Sequence, residues 1–198
     1  MRTDFQRQLD RLIEELGGKK PRLLLHSCCG PCSSYVLEYL SVYFDITLYY
    51  YNPNIFPPEE YEKRLQNQVS LLDQTKWARL LPSEYDHGEF LIAAKGLENE
   101  REGGARCTEC FRLRLEKTAQ KAKEGGFDYF TTTLSVSPHK NALLLGELSG
   151  EIGEKYGVKP LPADFKKRNG YKRSVELSER YGLYRQNYCG CEFSMGQR

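Results

Sequence analysis

Short apolar runs of strand character alternate with amphipathic helical stretches along most of the 198 residues, and that alternation leaves few folds open. Arg22 to His26 reads as a buried strand. Ile46 to Tyr51 reads as a second, closed by the turn residues Asn52, Pro53 and Asn54. Ala78 to Leu81, Tyr129 to Thr133 and Val158 to Leu161 give three more. Helical patterns separate them. One runs from a Thr3 cap through Phe5, Leu9, Leu12, Ile13 and Leu16 to the stop at Gly17 and Gly18. Another carries Tyr35, Val36, Leu37 and Leu40, and a third covers Glu59 to Gln74 with Tyr61, Leu65, Val69 and Leu72 on one face. Further patterns lie near Phe90 to Leu97, from Cys107 to the stop at Gly125 and Gly126, over Ala142 to Tyr156, and over Ser174 to Tyr181. Strands separated by helices of this length predict βαβ units. The expected fold is α/β, a doubly wound and mostly parallel sheet of about five strands with helices on both faces. A single domain is expected, with an α/β core over 1–165 and a basic, cysteine-bearing C-terminal segment over 166–198 that completes the site.

Hydrophobic residues make up 39% of the chain and charged residues 28%, too apolar for disorder and ordinary for a globular protein. No apolar run approaches the ~18 residues of a membrane span, and the N-terminus lacks the pattern of a signal peptide. A cytoplasmic location with no membrane partner is therefore the expectation. The net charge of +2 is unevenly spread. Residues 159–198 hold nine Lys and Arg against four Asp and Glu, whereas the first 158 hold 20 against 23. A basic tail on a slightly acidic body suits docking to one phosphate-rich partner.

Seven cysteines fall in three knots and nowhere else: Cys28, Cys29 and Cys32; Cys107 and Cys110; Cys189 and Cys191. An odd count in a reducing compartment argues against a disulfide framework. Ligands of open parallel sheets bind outside the carboxyl ends of the strands. The first knot directly follows the first strand, and Thr133 to Asn141 directly follows the fourth, so both are expected at the same edge. The second knot opens a helix, where backbone N–H groups and the helix dipole favour anionic sulfur. Cys107 and Cys110 form a C-x-x-C that zinc, an iron–sulfur cluster or a redox dithiol could use. Cys29-Gly30-Pro31-Cys32 has the form of a thioredoxin site, but that reading leaves Cys28 and the other two knots without a role. A disulfide across Gly190 would be strained and easily reduced, which suits a redox pair; the same two thiols could instead ligate metal. Seven cysteines exceed the four that one structural zinc needs.

Several segments resemble the epoxyqueuosine reductases of the QueH type. They are Leu24-Leu25-His26-Ser27-Cys28-Cys29-Gly30-Pro31-Cys32-Ser33, Arg106-Cys107-Thr108-Glu109-Cys110, Phe130-Thr131-Thr132-Thr133-Leu134, Ser137-Pro138-His139-Lys140-Asn141 and Gly170-Tyr171-Lys172-Arg173-Ser174. The ending, Leu183 to Cys191, matches as well. The resemblance runs in order over nearly the whole chain. It implies the last step of queuosine synthesis in tRNA: reduction of the epoxide on an epoxycyclopentanediol to the cyclopentene. It further implies an iron–sulfur enzyme independent of cobalamin, with a fold related to the HUP-like nucleotide-binding domains of PP-loop ATPases. The S-G-G-x-D-S phosphate loop of those ATPases is absent, and Ser27 to Ser33 stands in its place. ATP use is therefore not expected.

Epoxide deoxygenation consumes two electrons and two protons. On this reading Cys28, Cys29, Cys107 and Cys110 are expected to hold a [4Fe–4S] cluster. Cys189 and Cys191 are expected to be the redox pair, or to ligate a second iron beside the cluster. Cys32 is left unassigned, because its place on the helix could turn it away. Of the histidines, His26 and His139 are expected near the site and His87 on an outer segment; none is assigned as proton donor. For tRNA the candidates are Lys166, Lys167, Arg168, Lys172, Arg173 and Arg185, interleaved with Tyr171, Tyr184 and Tyr188, where cations would hold phosphates and an aromatic would stack on a base. The electron donor is not identified by the sequence. Two rival functions are a zinc-stabilised RNA-binding module and a thiol–disulfide oxidoreductase centred on Cys29 and Cys32.

Overall fold

The structure, a computed structural model, describes residues 4–195. It opens with helix α1 (Phe5–Glu15), capped by Asp4, whose carboxylate accepts from the Arg7 N–H at 3.3 Å. The anticipated Thr3 cap lies outside the described residues. Strand β1 (Arg22–His26), α2 (Gly30–Leu40), β2 (Asp45–Tyr50), α3 (Pro58–Thr75) and β3 (Arg79–Pro82) build the first half. After α4 (His87–Ala94) come α5 (Ala105–Glu124), β4 (Tyr129–Thr132), a 3-10 turn over Thr133–Val136, α6 (Ala142–Tyr156), β5 (Lys159–Pro160) and α7 (Gly170–Arg180).

All five strands are parallel, in the order β3-β2-β1-β4-β5. This is the doubly wound sheet expected from the alternation. The order of strands reverses between β1 and β4, and in such sheets the crevice at that reversal is where ligands sit.

Both faces of the sheet are covered, which is why β1 reads as an unbroken apolar run rather than an alternating one. Leu23 and Leu25 join Val36, Leu37, Ile46, Leu48, Tyr50 and Leu71 in one core. Leu24 points the other way, into a second core with Phe111, Leu115, Phe130, Leu145 and Leu148. Burying one such side chain stabilises the fold by about 1.5–3 kcal/mol.

The structure departs from the sequence pattern mostly at element ends. Thr133 leaves β4 for the 3-10 turn, and α4 occupies His87–Ala94 rather than Phe90 to Leu97. Helix α7 begins four residues early, because Asn169 takes a left-handed φ of 62° and turns the chain. Gly170 follows where no side chain fits: a Cβ there would lie 1.9 Å from the Phe165 carbonyl oxygen and 2.4 Å from the Tyr35 ring. Helix α3 buries Tyr61, Arg64, Gln68, Leu71 and Leu72, leaving Leu65 and Val69 only partly covered. Two polar residues thus sit on its deepest stripe. Both face the sheet edge described next.

Candidate active site at the carboxyl edge of the sheet

Strand β1 ends at His26, and the backbone passes through Ser27, Cys28 and Cys29 into α2. Cys29 is the extended residue just before that helix, with φ −175° and ψ 163°, and a proline follows in its first turn. The Sγ atoms of Cys28, Cys29 and Cys32 all lie within 4.8 Å of one another, and those of Cys28 and Cys29 are 3.8 Å apart. Cys32, left unassigned from sequence, therefore points into the group.

The neighbours of these thiols come from far along the chain. Thr133, just past β4, accepts the Cys28 N–H at 3.1 Å and donates its hydroxyl to Cys28 Sγ at 3.3 Å. Beneath the triad, Ser27, Ser33 and Gln68 form a buried hydrogen-bonded chain, with 2.6 Å between the two hydroxyls and 2.8 Å from Ser27 to Gln68 Oε1.

Sulfur charge in the triad is unequal. Hydrogen bonds from the Cys28 and Cys32 thiols, together with the Cys32 N–H and the Gln186 amide, hold the Cys29 thiol well below its ordinary pKa. Cys28, whose bond to Cys29 favours its protonated form, is pushed up to about 11, and Cys32 is pushed up by its bonds to Cys28 and then Cys29.

The other four cysteines form a second group. Cys107 and Cys110 lie on the first turns of α5, and Cys28 packs against the apolar cluster that includes Cys107. Cys110 packs with Phe90, Ala94 and Cys191. Burial raises the Cys110 thiol to about 11, reinforced by neighbouring Cys189, Cys191 and Cys107, and it raises Cys191 too. Cys189 accepts from Lys140 Nζ at 3.4 Å, and the same ammonium pairs with Glu102 at 3.3 Å. Burial works against the charge on Lys140, yet Cys189, Glu102 and Cys107 outweigh it and its pKa is raised.

Arg114 joins the two groups. It lies on α5 one turn after Cys110, is 2% exposed, and donates from Nε to the Cys110 carbonyl at 3.2 Å. Its Nη2 has no hydrogen-bond partner among the described residues. Burial disfavours its charge, but Cys110, Cys189, Cys28 and Cys107 all favour it, and they prevail. A buried guanidinium whose charge is met by sulfur rather than by a paired carboxylate is costly unless an anion faces it.

This arrangement fits a thiolate-bound metal group. The donors are soft, as zinc or an iron–sulfur cluster prefers. Thiolates bound to iron or zinc would also supply the negative charge that Arg114 lacks.

A cavity of about 270 Å³ opens over these residues. Cys28, Cys32, Cys189, Arg64, Arg114 and Lys140 contribute to its wall. The C-terminal segment closes one side. Arg64, held by Glu60 at 2.7 Å, donates to the carbonyls of Cys189 at 3.2 Å and Tyr188 at 3.4 Å. Gly190 passes against it with a φ of 101°, and a Cβ there would come within 3.0 Å of the guanidinium.

The chain matches the family model described as "Epoxyqueuosine reductase QueH" over residues 23–197. It belongs to that family. An epoxyqueuosine reductase QueH of Streptococcus pyogenes is 47% identical over 196 residues, covering 93% of this chain and 77% of that protein. Its counterpart in Staphylococcus epidermidis is 43% identical, covering 98% of this chain and 85% of the relative. That of Thermotoga maritima is 38% identical, covering 89% and 91%. The family is one of oxidoreductases, and the matches give no support to a zinc-stabilised RNA module or a general thiol–disulfide oxidoreductase.

The remaining sequence candidates are distributed as follows. His26 is fully buried, with its ring nitrogens 2.9 Å from Thr132 Oγ1 and 2.9 Å from the Tyr51 carbonyl, and burial lowers its pKa to about 4. It is a structural residue beneath the site. His139 is exposed on the cavity rim. His87 is not on an outer segment: it is partly buried, 2.7 Å from Glu192 and 2.7 Å from the Pro53 carbonyl, tying α4 to the C-terminal segment.

Among the basic candidates, Lys167 pairs with Asp4 at 3.1 Å, Arg168 with Asp10 at 2.5 Å, and Arg173 with Glu38 at 2.7 Å. Lys166 lies 3.6 Å from Asp164. Tyr171 and Arg185 line the cavity, and Lys172 is exposed beside them. Tyr184 and Tyr188 lie under Lys63 and Arg64, respectively. Sequence reasoning passed over Arg64, Gln68, Arg114, Asn52 and Asn54. Arg114 had a signal: it shares the helical stripe of Cys107 and Cys110, at spacings of three and four residues.

Proposed function

We propose that the chain removes the epoxide oxygen of epoxyqueuosine in tRNA, leaving the cyclopentene of queuosine, at the cavity bordered by Cys28, Cys32 and Cys189. What supports this reading beyond family membership is one observation: cysteines from three distant segments surround a buried guanidinium at the strand-order reversal. A site built this way gathers sulfur donors around one fixed positive charge.

In this proposal Cys28, Cys29, Cys107 and Cys110 hold a [4Fe–4S] cluster, with Cys32 close enough to Cys28 and Cys29 to serve as a ligand in its turn. Such a cluster, when bound, supplies electrons one at a time at low potential. Arg114 balances the thiolate charge between the two sulfur groups. Cys189 and Cys191 are the redox pair, or ligands of a second iron. As a pair they balance the reaction: two thiols become a disulfide, and their two electrons and two protons convert the epoxide into alkene and water. Lys140 donates to Cys189 Sγ and fixes the position of that sulfur at the cavity wall. An external donor then restores the dithiol.

The partner is tRNA. Tyr171, Lys172 and Arg185 are the proposed first contacts, with the Arg185 guanidinium 5.6 Å from the Tyr171 ring centre. Lys167, Arg168 and Arg173 would have to exchange carboxylates for phosphates, so their contribution is expected to be smaller. In this proposal the described part of the basic segment, residues 166–195, belongs to the same domain as the core and completes its site. Among the described residues no helix is long and apolar enough to cross a membrane.

The test is anaerobic incubation of the reduced protein with tRNA bearing the epoxide nucleoside, followed by nucleoside mass analysis. Loss of one oxygen atom from the modified base is the expected result. An unchanged nucleoside, with the protein carrying its full metal complement, would refute the assignment. Binding of that tRNA should weaken steeply as salt rises.

A further inference from the structure

The two sulfurs of the C-terminal pair are not equivalent, although only Gly190 separates them. Cys189 is partly exposed and contributes to the cavity wall. Cys191 is 5% exposed and does not border the cavity; it packs with Phe90, Ala94 and Cys110, beside Phe193.

The backbone on both sides holds this difference in place. The Tyr188 and Cys189 carbonyls accept from Arg64, whose own charge is paired with Glu60. The Gly190 carbonyl accepts the Phe56 N–H at 2.9 Å. Beyond the pair, the Ser194 N–H bonds to the Cys191 carbonyl at 3.0 Å, buried Arg106 reaches Ser194 Oγ at 3.3 Å, and Glu192 meets His87 at 2.7 Å. The two side chains cannot trade places without breaking several of these bonds. Thiol–disulfide exchange depends on which sulfur the incoming thiolate can reach. Of the pair, Cys189 is the one that faces open space. The same cavity must admit the epoxide ring. Its volume, about 270 Å³, lies just under the ~300–1,000 Å³ of a site for one small ligand, so it takes one occupant at a time.

Resting on the redox-pair reading above, we propose that Cys189 is the sulfur a dithiol reductant attacks, that Cys191 is the buried leaving sulfur, and that tRNA must depart before the reductant enters. The reductant's thiolate forms a bond to Cys189 Sγ as the Cys189–Cys191 bond breaks, and Cys191 leaves as a thiolate and takes a proton. The reductant's second thiol then attacks its own sulfur in the mixed disulfide. Cys189 is released and protonated, and the reductant departs as a cyclic disulfide. Two electrons and two protons reach the pair, which are those the next epoxide consumes.

The test uses wild-type protein carrying its metal, oxidised by one turnover of epoxide tRNA and freed of product. A brief pulse of a monothiol such as 2-mercaptoethanol, acid quenching and fragment mass analysis then locate the mixed disulfide. The adduct should sit on Cys189 in at least about tenfold excess over Cys191. Initial rates measured over a grid of epoxide tRNA and dithiothreitol concentrations should give parallel double-reciprocal lines, the pattern of a ping-pong reaction. Adduct divided evenly or favouring Cys191, or lines that intersect, would overturn the inference while leaving the reductase reading intact. A turnover that removes the epoxide oxygen without joining Cys189 to Cys191 would overturn the redox-pair reading itself.

Discussion

The two sulfur groups share a cavity but are built on different physics. Cys28, Cys29 and Cys32 sit at a strand-to-helix junction, in mutual contact, where thiol hydrogen bonds and a helix N–H concentrate negative charge on Cys29. Cys107, Cys110 and Cys191 are buried among apolar side chains, and burial keeps Cys110 and Cys191 protonated. The first group has the spacing of three sulfurs that could hold a metal ion. Buried cations stand beside the second: Arg114 opposes the rise of the Cys110 pKa, Arg106 that of Cys191, and Lys140 donates to Cys189 Sγ. The contrast teaches that a thiol-rich site is defined as much by its cations as by its cysteines.

Substitution is the strongest way to break this contrast. Cys29→Ser removes the triad sulfur whose thiol is held well below its ordinary pKa, and it should cost both bound iron and more than about 100-fold in deoxygenation. Cys191→Ser should abolish turnover yet leave most of the iron in place, read by metal analysis of the same preparation. Equal iron loss in both proteins would mean that the two groups do not divide the work.

Arg114→Met asks what the buried cation is for. Replacing an unpaired buried charge by an apolar chain of similar length is expected to leave the metal-free protein as stable as wild type, or up to about 2 kcal/mol more stable, by urea unfolding. Iron occupancy should fall several-fold in the same variant. A destabilised apo-protein with normal iron content would make Arg114 a structural residue only.

A smaller effect sharpens the account through pH. His26 lies beneath the triad with a pKa lowered from 6.5 to about 4, chiefly by burial and secondarily by Arg114. The unfolded chain binds this proton more readily than the folded one. Stability from this group is therefore complete above pH 6.5, and it is lost as pH falls toward 4, by about 3 kcal/mol in all. A His26→Gln protein should lack that acid limb in urea titrations between pH 7 and 4. An identical slope in both proteins would contradict the assignment.

The alternation of apolar strands and amphipathic helices was enough to reveal the five-stranded parallel sheet, because the central strands β1 and β4 are buried on both faces whereas the helices bury one. β1 and α6 lie where periodicity puts them. The junction of β1 with α2 was legible as a ligand site for a topological reason: it follows the strand at which the sheet order reverses. Less legible were residues whose importance depends on what faces them. Arg64 and Gln68 interrupt the apolar stripe of α3, and a periodicity argument discounts them, although they line or underlie the site. The fate of Lys167, Arg168 and Arg173 was hidden as well, since the partners Asp4, Asp10 and Glu38 are remote in sequence and meet them only through folding. Cys32 could not be oriented without knowing where α2 begins relative to β1.

The central claim is that sulfur from both groups holds one iron–sulfur centre. Iron, zinc and acid-labile sulfide measured per chain on protein purified without air test it most directly. About four irons and four sulfides in the wild type, with loss of both in Cys107→Ala, are the predicted result. One zinc per chain without sulfide, or full iron and sulfide retained by the Cys107→Ala protein, would contradict it.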